Sequence, residues 1–149
     1  MSAARLAAAL ARIAPSRTTA MTDRAAELRG QGRDIISLSV GEPDFATPPH
    51  VVEAAKAALD AGQTKYTPVG GTARLKAAAA LHFQRDLGIA ASPAQVTVSA
   101  GGKQAIFHAL LATLDAGDEV LIPAPWWVSY PEIVRFAGAR VVPLPPDAA

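Results

Sequence analysis

The stretch QVTVSAGGKQAIFHALLATLDAGDEVLIPAPWWVSYPEIVRFAGARVVPL, residues 95–144, decides how this chain folds. Val96-Thr97-Val98 is short and β-branched, which predicts a strand. Ser99-Ala100-Gly101-Gly102 predicts a tight turn. From Lys103 to Leu114 the apolar Ile106, Leu110, Leu111 and Leu114 recur at helical spacing. Asp115-Ala116-Gly117-Asp118 is turn chemistry, and Glu119-Val120-Leu121-Ile122 predicts a second strand. Tyr130–Phe136 predicts a short helix stopped at Gly138, and Arg140–Leu144 a third strand. The order β-α-β-α-β is that of an α/β fold, a mostly parallel sheet with helices on its faces and right-handed connections. Three such strands, apolar on both sides, leave their edges uncovered. Either the sheet continues in a larger protein, or the earlier helices complete a small domain.

Working upstream, the pattern predicts helices over Thr18–Arg29, from Pro48-Pro49 through Leu59, and over Thr72–Leu87. Their stops are Gly30 and Gly32, Gly62, and Gly88. Ile35-Ile36-Ser37-Leu38 is a β-rich run entering the turn Gly41-Glu42-Pro43-Asp44. The residues before Asp23 carry Arg5, Arg12 and Arg17 and no acid. They fit an exposed amphipathic arm with Leu6, Leu10 and Ile13 on one side. A mitochondrial-type presequence shares that composition, and a secretory apolar core is missing.

The 149 residues suit one domain of ordinary size. Hydrophobic residues are 50% and charged residues 18%, which excludes a disordered, highly charged class. The formal charge of +1 argues against a nucleic-acid partner. No membrane-length apolar run occurs, so no membrane partner is expected. With no cysteine, thiolate chemistry and Cys-based zinc sites are excluded, and the cytoplasm is the default compartment. His50, His82 and His108 have no nearby ligand partners, so no metal site is expected. Glu42 and Asp44 suit turn chemistry, and no Gly-x-Ser-x-Gly elbow supports a hydrolase nucleophile.

Open parallel sheets bind ligands beyond the carboxyl ends of their strands. Two loops fall there. At Ser99-Ala100-Gly101-Gly102-Lys103 the glycines permit close backbone approach, and the helix start offers N–H groups and a positive dipole end. It is neither a Walker loop nor a GxGxxG fingerprint, and a plain tight turn is the alternative. The second loop, Pro123-Ala124-Pro125-Trp126-Trp127-Val128-Ser129-Tyr130, holds both tryptophans of the chain. One indole could stack on a flat ligand; Trp126 is the better candidate for core. An anion site beside an aromatic wall suits a flavin, a nucleotide or pyridoxal phosphate.

Four motifs occur in order: Ser39-Val40-Gly41-Glu42-Pro43-Asp44-Phe45-Ala46-Thr47-Pro48, Thr64-Lys65-Tyr66-Thr67-Pro68, Gly101-Gly102-Lys103-Gln104-Ala105, and Pro123-Ala124-Pro125-Trp126-Trp127-Val128-Ser129-Tyr130-Pro131-Glu132. With them the chain resembles the class I aminotransferases of pyridoxal-phosphate fold type I, and most of all the bacterial aspartate aminotransferase branch. Pro15-Ser16 and Thr18 suit that family's N-terminal arm. The resemblance implies an arm and small-domain segment over 1–47 and the first part of the cofactor-binding large domain over 48–149. It implies that Gly41 offers its N–H to the substrate carboxylate. Gly101, Gly102 and Lys103 would hold the phosphate of pyridoxal 5'-phosphate. Trp127 would stack on the pyridine ring, and Tyr66 would reach the phosphate bound by the other subunit of a homodimer. The substrates would be an amino acid and a 2-oxo acid.

Two small departures are Ala100, where a polar residue is often seen, and Gly71-Thr72-Ala73-Arg74 after Tyr66. The large departure is what the resemblance places further along. The family's Schiff-base lysine has no counterpart among Lys56, Lys65, Lys76 and Lys103, and the chain has no asparagine to tune the cofactor ring. The expectation is an N-terminal portion of an aspartate-type aminotransferase, inactive alone. The alternatives are another fold type I enzyme, such as a different aminotransferase or a β-lyase, and a non-catalytic phosphate-binding or dimerisation module. A downstream reading frame with a Ser-x-x-Lys-like segment would favour the enzyme.

Overall fold

A computed structural model of the chain describes residues 6–146; Arg5 and Asp147-Ala148-Ala149 lie outside them. The elements are α1 (Arg17–Gly30), α2 (Pro49–Asp60), α3 (Ala73–Leu87), α4 (Gly102–Thr113), β1 (Glu119–Pro123), α5 (Ser129–Ala137) and β2 (Arg140–Leu144). Short 3-10 turns occupy Ala8–Arg12 and Pro93–Gln95. Two compact units divide the chain: Met1–Gly41 with Lys103–Ala149, and Glu42–Gly102.

In the first unit the turn Asp115–Asp118, α5 and β2 follow the sequence pattern closely. Asp118 Oδ2 accepts the Asp115 N–H at 2.8 Å. The strands pair in parallel, Glu119 opposite Arg140 through Pro123 opposite Leu144. Backbone bonds bracket this ladder: Arg140 N–H to Asp118 O at 2.7 Å and Ala124 N–H to Leu144 O at 2.8 Å. α5 makes the crossover that parallel pairing requires. Ile122, Val134 and Ala139 form the core, with Leu110, Leu114, Val120, Trp126, Tyr130 and Val141 packed against them. Val134 is 1% exposed; burying such a side chain contributes about 2 kcal/mol.

The second unit is built on caps. Pro49 opens α2, where a missing N–H costs nothing. Thr72 Oγ1 accepts the Leu75 N–H at 3.3 Å and starts α3, which ends at Gly88. Ala80 and Val96 are buried. Gly71 lies at φ +102, and a Cβ there would come within 2.5 Å of Val98 Cγ2 and 2.8 Å of Val98 Cβ. The close approach is fixed by the Val98 N–H, which donates to Gly70 O at 3.0 Å.

The β-rich run Ile35–Leu38 is irregular, with Ile36 and Leu38 about nine-tenths exposed. One strand expectation is corrected. Val96–Val98 forms no strand, so the sheet has two strands among the described residues, not three. Val96 has extended dihedrals, φ −102° and ψ 129°. Propensity makes a segment extended, but a strand also needs a partner ladder. Val98 makes a single bond to the Gly70 carbonyl in place of one.

His82 lies on the surface of α3, its Nδ1 2.6 Å from Asp86 Oδ2. The Arg85 guanidinium, and after it His82, hold the Asp86 carboxyl below the usual carboxylate range. Among the described residues no group of three or more His, Cys, Asp or Glu could hold a metal ion. No helix among them is long and apolar enough to cross a membrane.

Many large apolar side chains lie on the surface, including Phe45, Val69, Leu121 and Leu144. Exposed apolar area and unpaired strand edges promote association. Light scattering on the isolated chain over a concentration series is expected to give masses above the 15.3 kDa of one copy. A stable monomer with a sharp cooperative melt would refute this.

Candidate functional site

The turn between Val98 and α4 is built around glycine. Gly101 lies at φ +85, a left-handed conformation that side chains with a Cβ disfavour. Its N–H donates to Ser99 O at 2.8 Å. Gly101 therefore shapes the turn. α4 begins at Gly102. The first N–H groups of a helix have no partner inside it and carry the positive end of its dipole. A Cβ at Gly101 or Gly102 would meet nothing within 4 Å, so the chain's own atoms leave the approach to this backbone open.

Lys103 follows, and its ammonium stands over the indole of Trp127, 5.5 Å from the ring centroid. A cation at that distance is held by the ring's quadrupole. The Trp127 Nε1–H donates to Ser129 Oγ at 2.9 Å, which fixes the orientation of the ring. Trp127 is 58% exposed, whereas Trp126 packs against the core. The two adjacent tryptophans thus divide as the sequence suggests. One fills the interior, and the other presents a flat face next to a cation.

Gly41 is exposed, with open space where a Cβ would stand. Tyr66 belongs to the second unit, and its side chain is fully exposed. Of the residues singled out in the sequence, the structure brings Lys103 and Trp127 into contact. Gly101 and Gly102 adjoin Lys103 along the chain.

In the first unit a cleft of about 660 Å³ is lined by Ile13–Arg17 of the arm, by Lys103 and Phe107 of α4, by Trp126 of the loop before α5, and by Glu132 and neighbours on α5. Sequence reasoning missed this arm–α5 contact, and it missed Ser129. The Ser129 contact had a readable signal, a hydroxyl two residues beyond an indole. The arm contact had none, because it joins residues more than a hundred positions apart.

A family profile described as "Aminotransferase class I and II" matches residues 33–148. The aspartate/prephenate aminotransferase of Cereibacter sphaeroides is 56% identical over 133 residues, covering 89% of this chain and 33% of that protein. The aspartate/prephenate aminotransferase of Thermus thermophilus is 52% identical over 128 residues, covering 86% of this chain and 33% of that protein. The chain thus spans about a third of the length of these curated relatives. The solved aspartate aminotransferase of Thermus thermophilus with maleate superposes with a TM-score of 0.91 at 48% identity, over 95% of this chain and 37% of that one. That of Rhizobium meliloti gives 0.89 at 42% identity, over 96% and 36%. These likenesses are to fold type I enzymes, and they place the α/β arrangement described above within that fold. On the profile match and these identities, the chain belongs to the class I and II aminotransferase family.

Proposed function

We propose that this chain supplies the phosphate-holding turn and the ring-stacking face of an aspartate-type aminotransferase that uses pyridoxal 5'-phosphate. The observation that carries the reading is the Lys103–Trp127 pair within the first unit, with Lys103 next in the chain to Gly101-Gly102. The donor set fits the cofactor: backbone N–H groups and an ammonium suit a phosphate, and an exposed, oriented indole suits a flat ring. Gly102 and Lys103 would hold the phosphate, Gly101 would set the turn, and Trp127 would cover one ring face. When bound, the cofactor supplies an electron sink for the substrate carbon. Gly41 would bind the substrate carboxylate through its N–H. Tyr66 would serve the neighbouring subunit of a homodimer, in agreement with its exposure here.

The whole protein would move an amino group between an amino acid and a 2-oxo acid. Aspartate and prephenate are the substrates suggested by the names of the relatives. Residues 1–47 would form the arm and a small-domain segment, 48–149 the first part of the large domain, and the enzyme would work in the cytoplasm.

The 149 residues expressed alone should be inactive, because none of their four lysines stands in a Schiff-base segment. After incubation with pyridoxal phosphate and borohydride reduction, peptide mapping is expected to show scattered, substoichiometric labelling of Lys56, Lys65 and Lys76. No aspartate turnover should accompany it. A single stoichiometric adduct on one lysine, together with turnover, would overturn this prediction.

A further inference from the structure

The last turn of a helix presents carbonyl groups with no partner inside it, at the negative end of the dipole. In α5 these meet the arm. The Arg12 Nε–H donates to Arg135 O at 2.9 Å, and Arg12 Nη2 donates to Phe136 O at 2.8 Å. Arg135 O also takes the Gly138 N–H at 3.0 Å, so Arg12 uses its second lone pair. At the other end of α5, in the first turn, Glu132 Oε2 accepts the Ala14 N–H at 2.8 Å. Its second oxygen, Oε1, pairs with Arg135 Nη1 at 2.5 Å. The arm is therefore tied to both ends of one helix by charged groups. The arm itself buries little: no residue of its 3-10 turn is buried, and Leu10 is 44% exposed.

We propose that Arg12 and Glu132 are positioning residues that lock residues 13–17 onto α5 within one copy of the chain, and so hold one wall of the cleft that Lys103 and Trp126 also line. Ile13–Arg17 line that cleft, and they lie between the two tie points or directly beyond them. Without the ties, little apolar burial remains to hold them there. That the cleft belongs to the aminotransferase site rests on the function proposed above. The lock itself does not, and its test reads neither cofactor nor turnover, so the two ideas can fail separately.

Hydrogen exchange of the Ala14 amide is measured in the 149-residue chain at low micromolar concentration, with the Val134 amide of α5 as the folding control. Arg12→Ala and Glu132→Ala should each speed Ala14 exchange by about tenfold, the loss expected for a hydrogen bond to a charged group. Val134 should be unchanged. Arg12→Lys should restore only part of the protection, since an ammonium lacks the planar fork. The cleft is read separately by acrylamide quenching of Trp126 in a Trp127→Phe background. Arg12→Ala should raise the quenching constant by about twofold there, as a cleft wall is lost. Unchanged Ala14 exchange in both alanine variants overturns the lock. Raised exchange with unchanged quenching overturns the claim that the lock shapes the cleft. Ala14 protection that falls on dilution means the arm docks on a second copy, and overturns the proposal. If Val134 exchange rises as well, Arg12→Lys decides: complete rescue overturns the fork geometry, and partial rescue supports it.

Discussion

Gly102→Val is expected to weaken retention of pyridoxal phosphate by about a hundredfold while leaving the melting temperature nearly unchanged, since one or two charge-assisted hydrogen bonds at 1.5–3 kcal/mol each are lost. The fold tolerates the change because the space beside Gly102 is open and its backbone is not left-handed. In the proposed site the cofactor should not tolerate it, because a β-branched side chain would stand where the phosphate is placed. The test joins this chain to the remaining part of the Thermus thermophilus relative and measures cofactor dissociation constants. Trp127→Ala should cost on the order of 1 kcal/mol beyond lost area, through the missing stacking face. Lys103→Ala should cost less than Gly102→Val, since the proposed site assigns most of the anion binding to N–H groups and the dipole. A finding that Lys103→Ala is the most damaging, with Gly102→Val neutral, would falsify the helix-terminus account and make the turn a point-charge site.

The second large effect falls on stability. Gly71→Ala should destabilise the second unit by roughly 3 kcal/mol, from a left-handed backbone cost of about 1–2 and an overpacking cost of about 1–3. The overpacking is specific, because the new Cβ would stand 2.5 Å from Val98 Cγ2. Gly62→Ala is the control. Its φ is +69 with nothing within 4 Å, so it should lose only the backbone part, about 1–2 kcal/mol. Exchange of the Val98 amide, which bonds to Gly70 O, reports the difference directly. Equal losses in the two variants would mean that Val98 moves aside and the contact carries no strain.

The sequence was most legible where local chemistry and tertiary structure agree. β2 was predicted over Arg140–Leu144 and is found there, because its apolar run lies between a helix-stopping Gly138 and Pro145. The starts of α2 and α3 were written in Pro49 and Thr72, and the stops of α3 and α5 in Gly88 and Gly138. The strand expected at Val96–Val98 failed because pairing is a property of two segments, and one segment shows only half of it. In the site, the open glycine turn and the exposed indole could be anticipated from Gly101, Gly102 and Trp127. The Gly101 N–H turned inward to Ser99, and the fork from Arg12 to the end of α5, could not. Both depend on distances that no local pattern encodes.

The two bonds that bracket the β1–β2 ladder also give the sheet a parity. Arg140 donates to Asp118 O and Ala124 donates to Leu144 O, so 140, 142 and 144 turn toward β1 while Val141 and Pro143 turn away. Pro143 therefore sits where its missing N–H costs the ladder nothing. It leaves Val141 as the one donor on the outer flank of a five-residue strand. β1 is different, since Glu119 and Leu121 point donors outward and only Pro123 lacks one. The outer flank of β2 thus offers one backbone donor, and that of β1 offers two. A proline on a rim strand hinders lateral growth, so a further strand is expected on the flank of β1 rather than on that of β2.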